Sequence, residues 1–283
     1  MSVLLQIDAL SLRFGGLQAL DSLSINVRKG AVTAIIGPNG AGKTTLFNCI
    51  TGFYPLQSGS ITLDGPDGPM SLGGMSDHSI VRNARIARTF QTTRLFPRMT
   101  AVENLIVAQH TILMRASLFS VAGLLGLKRF IDAERTAKEK ARFWLDQVGL
   151  YPQANVEAGS LPYGSQRRLE IARAMCLDPV LLCLDEPAAG LNPRESAELV
   201  TLLTGIRDKF HTAQLLIEHD MSVVMGLSDY VYVLEYGRKI AEGTPDEIRH
   251  NPAVIRAYLG EEPDEDLPVE VALDMKAGDH PLC

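Results

Sequence analysis

The sequence predicts an α/β fold in which a parallel sheet carries a glycine loop, with a small antiparallel β region and an inserted helical subdomain. Three observations carry that prediction. The apolar run Ala31-Val32-Thr33-Ala34-Ile35-Ile36 leads straight into GPNGAGKTT, Gly37 to Thr45, a strand entering a glycine loop and then a helix. A second apolar run, Leu181 to Leu184, ends in Asp185 and Glu186, as a buried parallel strand does when it delivers acids to its C-terminal edge. After Asp178-Pro179, short apolar segments alternate with helical ones, the order that builds parallel sheets with right-handed crossovers.

The elements follow in order. Alternation over Leu5 to Arg13 and Ser24 to Arg28 predicts half-buried antiparallel strands, continued by residues 60 to 64, and these are expected to flank the strand before the glycine loop. Helical patterns dominate from Thr100 to Leu177. The longest is Asp132 to Val148, apolar at Ala133, Ala137, Ala141, Trp144, Leu145 and Val148, with Trp144 in the core. Next come a strand over Val180 to Asp185, a helix over Pro193 to Phe210, a strand over Gln214 to Ile217 and a helix over Met221 to Leu227. Strands at Tyr230 to Leu234 and Lys239 to Ala241 close the series. There is no internal repeat.

Gly37 to Thr45 fits GxxxxGK[ST], the phosphate-cradling pattern. Gly37, Gly40 and Gly42 allow backbone turns and close approaches that a Cβ would block, so that N–H groups around Pro38, Asn39 and Ala41 can face phosphate oxygens. Lys43 supplies a mobile cation for β- and γ-phosphates. Thr44, followed by Thr45, offers a hydroxyl suited to Mg²⁺ at the positive end of a helix dipole. Asp185 is placed to hold Mg²⁺ through water and Glu186 to polarise an attacking water. Gln91 in TFQ and His219 in LLIEHD are weaker signals, since a single His is more often a satisfied structural residue.

Composition bounds the function classes. The chain has 283 residues, 46% apolar content and a mean hydropathy of +0.07, which read as a soluble globular protein with a sizeable core. Its net charge of −6 is local: eight acids and Lys276 alone among basic residues follow Gly260, leaving 25 acids against 26 Lys and Arg in the body. No broad basic footprint for nucleic acid remains. The tail, with three prolines, reads as disordered or as a short docking segment. No run approaches the ~20 apolar residues of a membrane span. The nearest, Leu118 to Leu127, is either a packing segment or, with Lys128 and Arg129 following, a membrane-facing surface. MSVLLQIDAL lacks the basic region of a secretory signal. Cys49, Cys176, Cys183 and Cys283 show no CxxC spacing, so neither disulfide nor zinc is indicated.

Across residues 5 to 260 the order of these motifs resembles the ATP-binding subunit of an ABC transporter. Phe14 in RFGG resembles the adenine-stacking aromatic, Leu161 to Gln166 the LSGGQ signature, Ala188 to Asn192 the dimer-contact loop and His219 the switch histidine. The segments RTFQTTRLFPRMTAVENL, QRRLEIARAM, LDEPAAGLNP, IEHDM and GTPDEIRHNPAVIRAYLGE are similar to the subunits that energise branched-chain amino-acid importers. The insert from His110 to Arg142 resembles the longer of the two ATPase subunits such importers carry.

The resemblance implies an ATPase domain over 1–260, a helical subdomain over about 92–177 and an acidic tail over 261–283. It implies ATP and Mg²⁺ as cofactors, with Glu186, His219, Gln91 and Lys43 catalytic, and Thr44, Gln91 and Asp185 at the metal. It also implies nucleotide contacts from Phe14, the loop Gly37 to Thr45, and, across a dimer, Leu161, Pro162, Gly164, Ser165 and Gln166. The partners it implies are a second ATPase subunit, a different chain or a copy, two membrane permease subunits and, indirectly, a periplasmic solute-binding protein. The chain is then peripheral on the cytoplasmic face of the inner membrane.

Three positions depart from the family pattern. Pro162 and Ser165 stand where LSGGQ has Ser and Gln, and Asn192 replaces the usual Asp of the dimer-contact loop. Pro162 has neither hydroxyl nor N–H, though proline suits a first helical turn. Either the composite site using this signature is weakened, with Gly164 and Ser165 carrying more of the contact, or Pro162 is neutral. Rival readings are a non-transport ABC ATPase of translation or DNA repair, transport of another solute such as an amide, and a phosphate-loop kinase or GTPase. A GTPase would show an NKxD motif, which is absent.

Overall fold

The computed structural model describes residues 2–65, 68–110 and 128–259. The acidic tail, the Leu118 to Leu127 segment and Cys283 lie outside the described residues. Two sheets organise the rest. The first has the order β2-β1-β4-β5, built from β1 (Val3–Phe14), β2 (Leu17–Arg28), β4 (Ser58–Gly65) and β5 (Gly68–Ser71), all antiparallel. The second has the order β10-β9-β3-β8-β7-β6: β3 (Val32–Ile36), β6 (Ile86–Arg88), β7 (Leu181–Asp185), β8 (Ala213–Ile217), β9 (Tyr230–Glu235) and β10 (Arg238–Gly243).

Five strands of the second sheet run parallel, and β10 runs antiparallel to β9. This corrects the expectation that Lys239 to Ala241 continues a parallel series. Only Tyr236 and Gly237 join the two strands, both at positive φ (46° and 77°), which is a tight hairpin turn with no room for a crossover. The antiparallel strands form a small sheet of their own, the antiparallel β region that the alternation predicts. Strand β6 carries no sequence signal because three residues cannot display a period.

The central sheet is buried on both faces, and the period of two sorts its residues. Val32, Ala34 and Ile36 of β3 and Leu182 and Leu184 of β7 pack into one core with the helical region. Ile35, Leu181, Cys183, Leu215 and Ile217 face the other core, where they meet Leu10, Leu20 and Ile25 of the antiparallel sheet. Between the sheets lies α1 (Lys43–Ile50), whose Leu46, Phe47 and Ile50 belong to that second core.

After the short α2 (Asp77–Ser79) and β6, the chain enters the helical region: α3 (Ala101–Ala108), α4 (Lys128–Gln147) and α5 (Tyr163–Met175). Thr100 and Glu103 form a reciprocal capping box that starts α3. On α4, Ala137, Ala141, Trp144, Leu145 and Val148 are buried as the helical period requires, and Ala133 is half-buried. Trp144 packs on Phe210, ring centroids 4.8 Å apart, which ties α4 to α6 (Pro193–Phe210). The chain closes with α7 (Met221–Leu227), α8 (Pro245–Arg249) and α9 (Pro252–Leu259). Among the described residues no helix is long and apolar enough to cross a membrane. Cys49, Cys176 and Cys183 are buried free thiols.

Candidate active site

The expected acids, loop and polar residues leave the C-terminal ends of adjacent parallel strands, the edge where open α/β sheets hold ligands. Gly37 follows β3, Asp185 ends β7, and Glu218 and His219 follow β8. Gln91 lies three residues after β6. Register brings the ends together: Asp185 pairs with Ile217, and Arg88 with Cys183.

In the loop, Gly37, Gly40 and Gly42 all have positive φ, at 145°, 80° and 98°. A Cβ on Gly37 would lie 2.0 Å from the Leu234 carbonyl oxygen, and one on Gly42 would lie 2.5 Å from that of Ala19. These two glycines are demanded by close approach. No side chain caps the start of α1 and its first turn holds no acid, so its N–H groups and positive dipole end face the loop. Lys43, only 6% exposed, donates from Nζ to the carbonyls of Gly37 (2.5 Å) and Pro38 (2.9 Å). Thr44 is exposed and Thr45 half-buried. A cradle of N–H groups around one buried lysine fits a chain of phosphates.

Glu186 sits where three elements converge. Gln91 Nε2 donates to its Oε2 at 2.7 Å, and His219 Nε2 lies 3.0 Å from its Oε1. Its own backbone is left-handed, φ 46°, as the chain leaves β7, and its N–H bonds the Ile217 carbonyl at 2.9 Å. Thus Gln91 and His219, single weak signals in the sequence, meet on one carboxylate. Asp185 is buried against Arg88, whose Nη2 donates to Oδ2 at 2.7 Å. Among the described residues no group of three or more His, Cys, Asp or Glu forms a cage for a metal. One carboxylate and one threonine hydroxyl is the sparse protein set that Mg²⁺ accepts when phosphates and water complete its shell.

Sequence reasoning passed over four supporting residues. Glu218 accepts N–H bonds from Ala188 (2.6 Å), His219 (3.1 Å) and Asp220 (3.5 Å), joining the segment that starts at Ala188 to the histidine. Burial pushes its carboxyl up to about 7 against the pull of those N–H groups. Arg167 and Glu170 of α5, each 2% exposed, form a buried pair at 3.3 Å that grips the main chain around Gln91. Arg167 donates to the carbonyls of Phe90 (2.6 Å) and Gln91, while Glu170 accepts from the N–H groups of Phe90 and Arg94, both at 3.4 Å. Burial raises the Glu170 carboxyl, and Arg167 opposes the rise. Arg88 is the fourth. All four lie in segments similar to the importer subunits, but no role for the individual residue was legible there, because each works through contacts with a separate segment.

The remaining expected residues lie further out. Phe14, 45% exposed at the end of β1, stands edge-to-face with Tyr54 at 5.2 Å. Pro162 occupies the N-cap of α5 and makes no side-chain cap. Pro162 and Tyr163 are exposed, whereas Leu161, Gly164 and Ser165 are buried. Gln166 Nε2 turns back to the Leu161 carbonyl at 2.9 Å, and Ser165 Oγ accepts from Arg168 at 3.3 Å. Asn192 caps α6 in a reciprocal box with Glu195.

A glycine cradle, a strand-end Asp-Glu pair and a helical region packed beside the sheet define an ATP-hydrolysing cassette of the phosphate-loop class. The family model described as "ABC transporter" matches residues 20–189, and that described as "Branched-chain amino acid ATP-binding cassette transporter" matches residues 238–264. The chain is 51% identical over 258 residues to the high-affinity branched-chain amino acid transport ATP-binding protein LivG of Salmonella typhimurium, covering 91% of this chain and 98% of the relative. It is 50% identical over 258 residues, with the same coverages, to BraF of Pseudomonas aeruginosa, which bears the same description. Among solved structures, the ADP conformation of MJ1267, an ATP-binding cassette of an ABC transporter, superposes with a TM-score of 0.77 at 32% identity, covering 92% of this chain and all of that one. The chain belongs to the ATP-binding subunits of ABC transporters, the subunits that hydrolyse ATP to drive transport.

Proposed function

We propose that this chain energises import of branched-chain amino acids, binding ATP at the Gly37 to Thr45 loop and hydrolysing it with Glu186 as the base that aligns water. The observation that carries the catalytic part is the convergence of Gln91 and His219 on the two oxygens of Glu186. Loop N–H groups and Lys43 would bind the phosphates, Phe14 would offer a ring face to adenine, and Thr44, Asp185 and Gln91 would hold Mg²⁺. Bound Mg²⁺ neutralises charge on the phosphate oxygens. Glu186 accepts a proton from water, and His219 fixes the carboxylate and steadies charge near it. The likeness to LivG and BraF, named for branched-chain amino acid transport, supports the choice of solute.

The working unit in this reading is two ATPase subunits, two permease subunits and a solute-binding protein, with this chain on the cytoplasmic face of the membrane. A groove of about 770 Å³ supports a permease contact: exposed Phe53, Val81 and Phe96 line it, and Phe90, next to Gln91, forms part of its wall. A cytoplasmic permease helix with an apolar face fits there. The test is the complex in proteoliposomes supplied with its binding protein. Glu186→Gln is expected to cut ATP hydrolysis at least ~100-fold and abolish leucine uptake while nucleotide binding persists. Unchanged hydrolysis removes Glu186 from the base role; uptake of an amide in place of leucine changes the solute.

A further inference from the structure

Arg88 reaches Asp185 from a direction that no motif marks. Besides its pair with Asp185, its Nη1 donates to Asn48 Oδ1 at 2.7 Å and Thr51 Oγ1 at 3.2 Å. Asn48 lies in α1 and Thr51 is its C-cap, so one guanidinium spans from β7 to the helix that begins with Lys43 and Thr44. The Arg88 and Asp185 side chains are 8% and 7% exposed. A planar fork with several donors suits this double hold, which a lysine ammonium cannot copy. Its engagement of Oδ2 leaves Oδ1 as the other oxygen of the acid.

The same guanidinium lies among three rings, 5.6 Å from the centroid of Phe47, 5.7 Å from Phe53 and 5.1 Å from Phe90. Phe53 and Phe90 line the groove along with Arg88 itself. A displacement of Phe53 therefore bears on the residue that orients Asp185. A purely structural tie between α1 and β7 would need neither contact with the groove nor an acid at the ligand edge of the sheet.

We propose that Arg88 is a positioning residue: it holds Asp185 in register with the helix that carries Thr44, so that both meet magnesium, and it transmits the state of the groove through Phe53 to that pair. This rests on Thr44 and Asp185 being the magnesium holders. The test is the Mg²⁺ dependence of binding of a non-hydrolysable ATP analogue to the full chain, by calorimetry, with a parallel titration in EDTA. Arg88→Lys keeps the cation and is expected to raise the Mg²⁺ concentration for half-maximal binding by about tenfold, the usual scale for losing an outer partner of a metal ligand, with binding in EDTA unchanged. Phe53→Ala is expected to move the same midpoint in the same direction by a few-fold. Asp185→Asn must remove the Mg²⁺ dependence. A folded Arg88→Lys with the wild-type midpoint overturns the proposal, and an unmoved midpoint in Phe53→Ala overturns its groove arm. If Asp185→Asn keeps the wild-type dependence, the magnesium reading itself falls. Should Arg88→Lys lose its thermal transition, Asn48→Ala, which removes the other end of the guanidinium's hold, must raise the same midpoint, and an unmoved one overturns the proposal.

Discussion

Glu218 shows how one residue links burial, charge and pH. Its carboxyl, held up near 7 by burial, keeps a proton in the folded chain that the unfolded chain releases near the ordinary 4.5. The stability from that bound proton is full below about pH 4.5 and is lost as pH rises through about 7. The loss amounts to about 3 kcal/mol. Urea midpoints of Glu218→Gln against wild type should therefore draw apart between pH 5 and 7, with the variant showing the flatter profile. Gly42 is a second case. An alanine there would bring its Cβ 2.5 Å from a carbonyl at a φ of 98°, so Gly42→Ala is expected to destabilise by about 2–3 kcal/mol. Calorimetry should show ATP affinity falling with it. The glycine was legible in the sequence because its pattern is local. Glu218, Arg88 and Arg167 were not, because each is defined by partners 30 to 97 residues away.

At the scale of elements, helix starts were legible where polar caps are written into the chain. Asn192 with Glu195 and Thr100 with Glu103 form the reciprocal boxes their spacing allows. Asn192→Ala is expected to cost about 1 kcal/mol, read from the thermal midpoint, with no change in ATP binding by the isolated subunit. The signature helix α5 starts without such a cap, at Pro162. Its Gly164 and Ser165, expected to take up contact for Pro162, are buried in the single subunit, and Pro162 and Tyr163 face out. Burial follows from α6: a Cβ on Gly164 would lie 2.7 Å from Glu195 Oε1. The strand alternation of β1 and β2 was readable, as was the full span of α6. Strand β6 and the sense of β10 were not, since three residues show no period and a pattern carries no direction.

For the whole molecule, the consequence of Pro162 belongs to the assembled pair. If two ATPase subunits meet head to tail, the site on this chain's own loop uses the partner's signature, and the partner's site uses Pro162. Glu186→Gln is then expected to leave ~1% or less of the complex's ATPase rate, with the partner's equivalent change costing much less. Equal losses from both changes assign no penalty to Pro162. Steady-state hydrolysis by the two mixed complexes is the measurement.

The sequence by itself determined the class of protein, because phosphate binding demands glycine, lysine and threonine at adjacent positions and a strand before them. It also determined which residues face the cores, since periods of two and 3.6 are printed in the order of side chains. Only the tertiary structure decided that Gln91 and His219 share Glu186, that Arg88 braces Asp185, and that α5 grips the chain around Gln91. Those relations join the ends of separate strands and helices. Nothing in their local sequence encodes a distance that exists only once the parallel sheet has brought its C-terminal edge together.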